Sequence, residues 1–233
     1  SKTKAATITA KALTQSGLSV PASKTYDGTT VATVNGTSAL QASETAGTGT
    51  TSDGKPYTGD TVSITGTAVG TYNDAHVASA SSVSFSGLSL TGAQSGNYSL
   101  TSYSPASATI TAATLTPTIS NSSVTKVYDG TTTSTFTPTY TFSGLVSGDT
   151  DATLNYTSRT YNSKDVASAN TVTVSGLSIS SITGSNSSAS TDYVLDSTSK
   201  NCYSASIVSN TGFLNLIGNE VCHSLVCLVK SSV

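Results

Sequence analysis

The chain alternates apolar and polar residues over short stretches instead of repeating apolar residues every three or four positions. Residues 61–65 are Thr-Val-Ser-Ile-Thr and residues 82–86 are Ser-Val-Ser-Phe-Ser, a period of two that is typical of half-buried strands. After Gly87 the apolar positions shift by one residue, to Leu88 and Leu90. A glycine at such a shift predicts a β-bulge, which keeps both halves of the strand facing the core.

Long segments of this pattern occur twice. Residues 24–30 are Lys-Thr-Tyr-Asp-Gly-Thr-Thr, and residues 126–132 are Lys-Val-Tyr-Asp-Gly-Thr-Thr, 102 positions later. Residues 6–10 recur at the same offset as residues 108–112. Two separate segments that share one offset indicate a duplicated unit.

The two copies differ by insertions. Later matches, such as Gly59-Asp60 with Gly148-Asp149, are 89 positions apart, so the first copy carries about 13 extra residues within 42–57. The second copy regains about 6 residues within 181–191. Because the flanking pattern is intact on both sides, we expect both insertions in surface loops.

These matches divide the chain into four parts. We expect residues 1–10 to be the last strand of a preceding repeat, and residues 209–233 to be a divergent tail without the repeat pattern. Between them lie repeat 1, residues 11–112, and repeat 2, residues 113–208.

Each repeat has enough apolar side chains for one core in a domain of about 100 residues. Turn signals at short intervals and the absence of an amphipathic helical pattern predict an all-β fold with two tandem Ig-like β-sandwich-type domains. A β-grasp-like sheet is the alternative, although the sequence offers no helix to lie across it.

Composition narrows the function classes. Charged residues make up 9% of the chain and the net charge is −2, which gives no electrostatic basis for binding nucleic acid or an anionic membrane. Hydrophobic residues reach 36%, which argues against disorder. Segment 213–229 is too short and too polar to span a bilayer.

The repeated Tyr-Asp-Gly motif is the most conspicuous candidate for chemistry. Tyrosine can bury its ring and keep its hydroxyl bonded, and Asp-Gly supplies the geometry of a tight turn. A calcium site needs six to eight oxygen ligands, and no ladder of acidic residues accompanies the motif. We therefore expect a structural turn rather than a metal site, at residues Tyr26, Asp27, Gly28, Tyr128, Asp129 and Gly130.

Other polar groups give weak signals. His76 aligns with Asp165 in the second copy, so the repeat does not require an imidazole, and we expect a solvated loop histidine. Asp60, Asp149 and Asp151 are expected in turns. No arrangement of side chains is typical of catalysis, and we predict neither an enzyme nor a cofactor.

The cysteines leave two alternatives open. Cys202, Cys222, His223 and Cys227 could be offered as zinc ligands, but their spacing is not that of a zinc site and we predict no metal. Whether two of the three cysteines pair stays open.

The repeated motifs resemble those of a known family. Tyr-Asp-Gly-Thr-Thr, a later Gly-Asp corner, Ser-Gly-Leu-Ser-Leu-Thr-Gly-Ala with Gly-Asn-Tyr-Ser-Leu, and a closing Ala-Thr-Ile-Thr are similar to the YDG-type repeat of bacterial surface proteins of the filamentous-haemagglutinin or adhesin kind. The second copy departs from it with residues 190–195, Ser-Thr-Asp-Tyr-Val-Leu, in place of the Gly-Asn-Tyr signature.

The resemblance implies a secreted protein on the bacterial cell surface, outside the outer membrane, with neighbouring repeats as its first partners. We expect this segment to be a structural or adhesive stalk. The alternative is a module that binds a host glycan or a host surface protein through tyrosine-bearing loops. Tyr57 and Tyr103 have no counterpart in the second copy and are the candidate ligand contacts.

Overall fold

The computed structural model describes residues 7–209, and over that range the chain is all-β. Its helical content there is two single-turn 3-10 helices, Ser95–Asn97 and Ser190–Asp192. A β-grasp arrangement needs a helix packed across the sheet, and the described residues supply no such element. None of their helices has the length and apolar character to cross a bilayer.

The strands fall into two sets that follow the duplication. Repeat 1 contains β1 (Lys11–Leu13), β2 (Gln15–Ser19), β3 (Ser23–Thr25), β4 (Val31–Ala32), β5 (Asn35–Leu40), β6 (Ser63–Tyr72), β7 (Ser82–Thr91), β8 (Tyr98–Leu100), β9 (Ala106–Ser107) and β10 (Thr109–Thr111). Repeat 2 contains β11 (Ala113–Ile119), β12 (Val124–Val127), β13 (Tyr140–Ser143), β14 (Asp149–Asn155), β15 (Ser158–Tyr161), β16 (Val172–Ser175), β17 (Ser178–Gly184), β18 (Tyr193–Leu195), β19 (Ser199–Cys202) and β20 (Ala205–Val208).

Each repeat is a β-sandwich-type domain. In repeat 1 the antiparallel sheet β4-β6-β7-β9 forms one layer. The remaining strands form three two-stranded sheets: β2 is antiparallel to β5, and two pairs are parallel, β1 with β8 and β3 with β10. Repeat 2 has a related plan: β11 lies between β13 and β18, and β12 runs parallel to β20. The counterpart of the four-stranded sheet is divided into β15-β16-β19 and β14-β17.

The β6-β7 hairpin contains a bulge at the glycine where the sequence pattern shifts. Gly66 pairs with Leu88 and Val69 with Ser86, so two residues of β6 oppose Gly87 alone. The extra residue is therefore on the partner strand, and Gly87 meets it with φ of +84°. Such a φ is open to glycine and unfavourable for other residues. In repeat 2 the same hairpin is interrupted, with Gly176 between β16 and β17.

The two hydrophobic cores meet. One buried cluster contains core residues of both repeats. Its members include Tyr26, Tyr72, Val83 and Ile110 of repeat 1 and Ala113, Leu115, Ala152 and Tyr193 of repeat 2. A second cluster fills the far half of repeat 2 with the counterparts Tyr161, Val172 and Ile207, and it also contains Cys202. One residue, Ala112, separates β10 from β11.

Segment 1–10, expected to be a strand of a preceding repeat, is described from residue 7 onward, and residues 7–10 are not in a strand. Ile8 is 99% exposed, whereas its repeat counterpart Ile110 is 3% exposed. Of the expected divergent tail, residue 209 is described and the rest lies outside the described range.

The bulge yields a stability prediction. A side chain on Gly87 would both strain the backbone and collide with the carbonyl oxygen of Thr67. We expect Gly87→Ala to lower the free energy of unfolding by about 1–3 kcal/mol. Gly96→Ala is the matched control, because a Cβ at Gly96 meets no heavy atom within 4 Å, and its expected effect is below about 0.5 kcal/mol. Denaturant unfolding checks both values, and equal effects would contradict the bulge argument.

Candidate functional site: the junction between the two repeats

Each Tyr-Asp-Gly motif forms a tight turn held by its own aspartate. Oδ1 of Asp27 accepts hydrogen bonds from the backbone N–H of Thr29 at 2.9 Å and from Nζ of Lys24 at 2.7 Å. Lys24 also donates to the carbonyl oxygens of Thr29 and Val31, so its ammonium group links both sides of the turn. Gly28 follows with φ of +75°, which is why glycine occupies that position.

The second copy of the turn has the same bonds. Oδ1 of Asp129 lies 2.7 Å from Nζ of Lys126 and 2.9 Å from the N–H of Thr131. These two donors lower the pKa of Asp129 to about 2. In Asp27, burial acts to raise the pKa, but the bonds from Lys24 and Thr29 outweigh it and the pKa is lowered. In both turns the carboxylate is used to hold the backbone.

The tyrosines of the two turns differ sharply in exposure. Tyr26 is 2% exposed and Tyr128 is 42% exposed. Tyr26 is covered because repeat 2 packs on it: its ring meets that of Tyr193 edge-on at 5.6 Å between centroids. Its hydroxyl lies 2.6 Å from Oγ of Ser188. The motif of repeat 1 is therefore part of an interface with repeat 2.

We call the Tyr-Asp-Gly turn and the loop beside it the lower end of a repeat; the loops are residues 73–80 and 162–169. We call the Gly-Asp corner and the tyrosine after the 3-10 turn the upper end; these are Asp60 with Tyr98, and Asp149 with Tyr193. The junction joins the lower end of repeat 1 to the upper end of repeat 2.

His76 is the contact from the loop of repeat 1. Its ring stacks on Tyr26 at 6.2 Å between centroids, and Nδ1 lies 2.8 Å from Oδ2 of Asp192. The loop itself is held by Asn73, whose side-chain oxygen accepts from the N–H groups of Ser81 and Ser82. His76 lies in a loop as expected, but its imidazole is not fully solvated: its side chain is 31% exposed and pairs with Asp192 of the other repeat.

Asp192 is the buried anchor on the side of repeat 2. It is 0% exposed and accepts from His76, from the N–H of Val77 at 2.8 Å and from the N–H of Ala189 at 2.8 Å. Two of these donors belong to repeat 1 and one to repeat 2. A buried carboxylate is tolerated only when it is bonded in this way, so the bonds depend on the docked arrangement of the repeats.

Each upper end contains a hydrogen bond between a tyrosine hydroxyl and an aspartate. The hydroxyl of Tyr193 donates to Oδ2 of Asp149 at 2.6 Å, and that of Tyr98 donates to Oδ2 of Asp60 at 2.5 Å. Burial raises the pKa of Tyr193 and Tyr98, and the adjacent carboxylates raise it further. In repeat 2, Oδ2 of Asp149 also accepts from Oγ of Ser188 at 2.6 Å, which links the corner to Tyr26.

The insertion at 181–191 contributes to this contact. Ser188 and Ala189 are among the groups described above, and the side chain of Asn186 lies against Gly28. As expected, residues 185–189 form a loop whose residues are exposed or half-buried, and repeat 1 packs against one side of it. The insertion is present in the copy whose upper end is covered, and that difference between the copies was a signal available in the sequence.

The upper end of repeat 1 is built differently, around a buried ammonium group. Lys11, which replaces Ala113 of repeat 2, lies 2.6 Å from Glu44 and 3.0 Å from Asp53. Burial acts to lower the pKa of Lys11, but these two carboxylates outweigh it and the pKa is raised. Both acidic residues lie in the 42–57 insertion, so this insertion supplies the counter-charges of Lys11.

The two candidate ligand tyrosines lie at separate places. Tyr57 is half-buried, with Nζ of Lys11 4.2 Å from its ring centroid. Tyr103 is also half-buried, tilted against Phe85 at 5.2 Å, and its hydroxyl donates to Ser38. Each tyrosine lines a different groove, of about 490 Å³ at Tyr57 and about 260 Å³ at Tyr103.

Residues 7–209 contain no group of three or more His, Cys, Asp or Glu side chains placed to hold a metal ion. Cys202 is buried in the core of repeat 2, with its thiol near the carbonyl oxygen of Asn121. Cys222, His223 and Cys227 lie outside the described residues.

A family model described as the YDG domain matches the chain twice, at residues 9–108 and 111–200. The gap between the two matches, residues 109–110, lies in β10, just before the connection to β11. Neither a search of curated proteins nor a search of solved structures gives a match.

The buried anchor gives a junction-specific prediction. Asp192→Ala leaves three donors unpaired, and we expect the free energy of unfolding to fall by about 2–4 kcal/mol. Asp165→Ala is the control, because Asp165 is exposed and pairs with Lys164 at the surface, so its effect should stay below about 0.5 kcal/mol. Hydrogen exchange at the amide of Val77 should accelerate in the first variant alone. An unchanged rate there would contradict the assignment of Asp192 as a junction anchor.

The turn aspartates give a pH prediction. A carboxyl group with a folded pKa below its ordinary value stabilises the fold above that ordinary value, and its contribution is lost as the pH falls through the folded pKa. We therefore expect stability to decline from about pH 4 toward pH 2. Thermal melting of the wild type and of Asp27→Asn/Asp129→Asn across this range tests it. The double variant should show a flatter decline, and an equal slope in both proteins would contradict the prediction.

Proposed function

The chain belongs to the YDG domain family as two tandem copies, and from this premise we propose that it is a structural stalk segment of a large secreted adhesin. The adhesin would lie on the outside of the bacterial outer membrane, and its partners would include the neighbouring repeats of its own chain. In this proposal the segment positions a binding region and carries out no catalysis.

The observation that carries the proposal is the shared core at the junction. Two domains joined by one residue would swing freely if their facing ends were polar and solvated. Here the facing ends bury Tyr26 and Asp192 and belong to one hydrophobic cluster. Repeats that dock in this way transmit orientation from one domain to the next, which is the property that a stalk requires.

The exposed closing segment of residues 7–10 supports a longer array. It repeats the sequence of β10, and Ile8 is exposed where its counterpart Ile110 is buried against its own domain. We propose that residues 1–10 close a preceding repeat, whose core would cover Ile8.

Solution scattering tests the stalk proposal. We expect the wild type to have a maximum dimension well beyond that of a sphere of equal mass, and a narrow distribution of shapes. His76→Ala/Asp192→Ala should broaden that distribution, because it removes two junction contacts. Asn155→Ala, at an exposed position of β14, is the matched control. A compact profile for the wild type, or no change in the double variant, would contradict the proposal.

A second candidate is glycan or host-protein binding at the groove that contains Tyr103. This groove combines the rings of Tyr103 and Phe85 with the side chain of Gln15, and aromatic rings beside amide groups suit the face and hydroxyls of a sugar. A glycan array with the wild type and Tyr103→Ala separates the candidates: a pure spacer gives no hits, and a binding module gives hits that the variant loses.

A further inference from the structure

The lower end of repeat 2 has the scaffold of a junction without a covering domain in the described residues. Its Tyr-Asp-Gly turn has the same bonds as that of repeat 1. Its loop is held in the same way, with the side-chain oxygen of Asn162 accepting from Asn170 and Thr171. The lower end of repeat 2 therefore has the same backbone framework as the lower end of repeat 1, which docks at the junction.

Several apolar side chains at the lower end of repeat 2 are exposed to solvent. Four apolar or aromatic side chains stand open to solvent: Val127 at 54%, Tyr128 at 42%, Val166 at 43% and Val208 at 44%. Val127 and Val208 are paired neighbours on β12 and β20, so the four side chains flank one end of the domain. In repeat 1 the counterpart of Val166 is Val77, which packs against the shared cluster.

The lower end of repeat 2 differs from that of repeat 1 in the residue that would bond to a docked partner. Where repeat 1 has His76, repeat 2 has Asp165, so an upper end with a buried aspartate such as Asp192 would place two carboxylates together. Asp165 uses Oδ1 for Lys164 at 2.9 Å, which leaves Oδ2 to accept a hydrogen bond. The surface therefore suits a partner with an uncharged donor at the position of Asp192.

The upper end of repeat 1 provides such a donor. Asn97 occupies the position before the corner tyrosine that Asp192 occupies in repeat 2, and its side chain is exposed. It borders the groove of about 490 Å³ that is also lined by Tyr57, Asp60 and Tyr98. The groove adjoins Tyr98, just as the space that Tyr26 fills at the junction adjoins Tyr193. Its volume is large enough for the ring of Tyr128.

We propose that the lower end of repeat 2 binds the upper end of repeat 1 in a second copy of this chain. Tyr128 packs beside Tyr98, Val166 covers apolar surface, and the amide of Asn97 donates to Asp165. The contact uses a different surface on each partner, so it is head-to-tail and builds linear assemblies rather than closed dimers. It concerns association between separate chains and does not depend on a stalk function. The second copy would occupy the groove beside Ile8 that a preceding repeat would occupy in a longer array.

Sedimentation of the full chain from micromolar to near-millimolar concentration tests the proposal. The average mass of the wild type should rise steadily with concentration and pass that of a dimer. Asn97→Asp places a carboxylate against Asp165, and we expect it to weaken association about tenfold or more. Asn155→Asp adds the same charge at an exposed residue of β14 and should leave association unchanged.

A compensating variant makes the test specific. The double variant Asn97→Asp/Asp165→His recreates the pair formed by His76 and Asp192 and should restore association. A wild type that stays monomeric throughout overturns the proposal. Association that responds equally to the changes at residues 97 and 155, or that is not restored in the combined variant, overturns it as well.

Discussion

A carboxylate without access to water must be bonded by the protein, and Asp192 obtains its donors from both repeats. This requirement fixes how the domains dock, because a small rotation would break the bonds from His76 and Val77 together. The same contact places Tyr26 against Tyr193 and lets the two cores merge. With few large side chains available, each domain gains apolar contacts at its end that it could not provide alone.

The two copies differ most where their surroundings differ. At the junction, repeat 1 has His76 and a buried Tyr26, and repeat 2 has the insertion that receives them. At the opposite ends the equivalent positions are Asp165 with an exposed Tyr128, and an upper end built around Lys11 and the acidic insertion. The bonds within each turn are the same in both copies, and the strands correspond, although the long β6-β7 hairpin of repeat 1 is divided in repeat 2. Duplication thus conserved the framework, and the end surfaces diverged according to what each one meets.

Much of the framework could be predicted from the sequence, since alternation and turn residues act locally. The strands around Val83 and Val172, the irregularity at Gly87 and the turn at Asp27 all follow from short patterns. The junction could not be predicted in this way, because the bond between His76 and Asp192 joins residues that are 116 positions apart. The parallel pairs, such as β3 with β10, were not anticipated for the same reason: they depend on closure of the whole domain.

Those parallel pairs determine how a repeat responds to pulling. In each domain a strand near the N-terminal end runs parallel to the last strand. These pairs are β3 with β10 in repeat 1 and β12 with β20 in repeat 2. Tension applied at the two termini of a repeat therefore slides these strands along each other, and the hydrogen bonds between them resist together rather than opening one after another. The geometry that closes each domain thus gives it mechanical resistance along the axis of the chain.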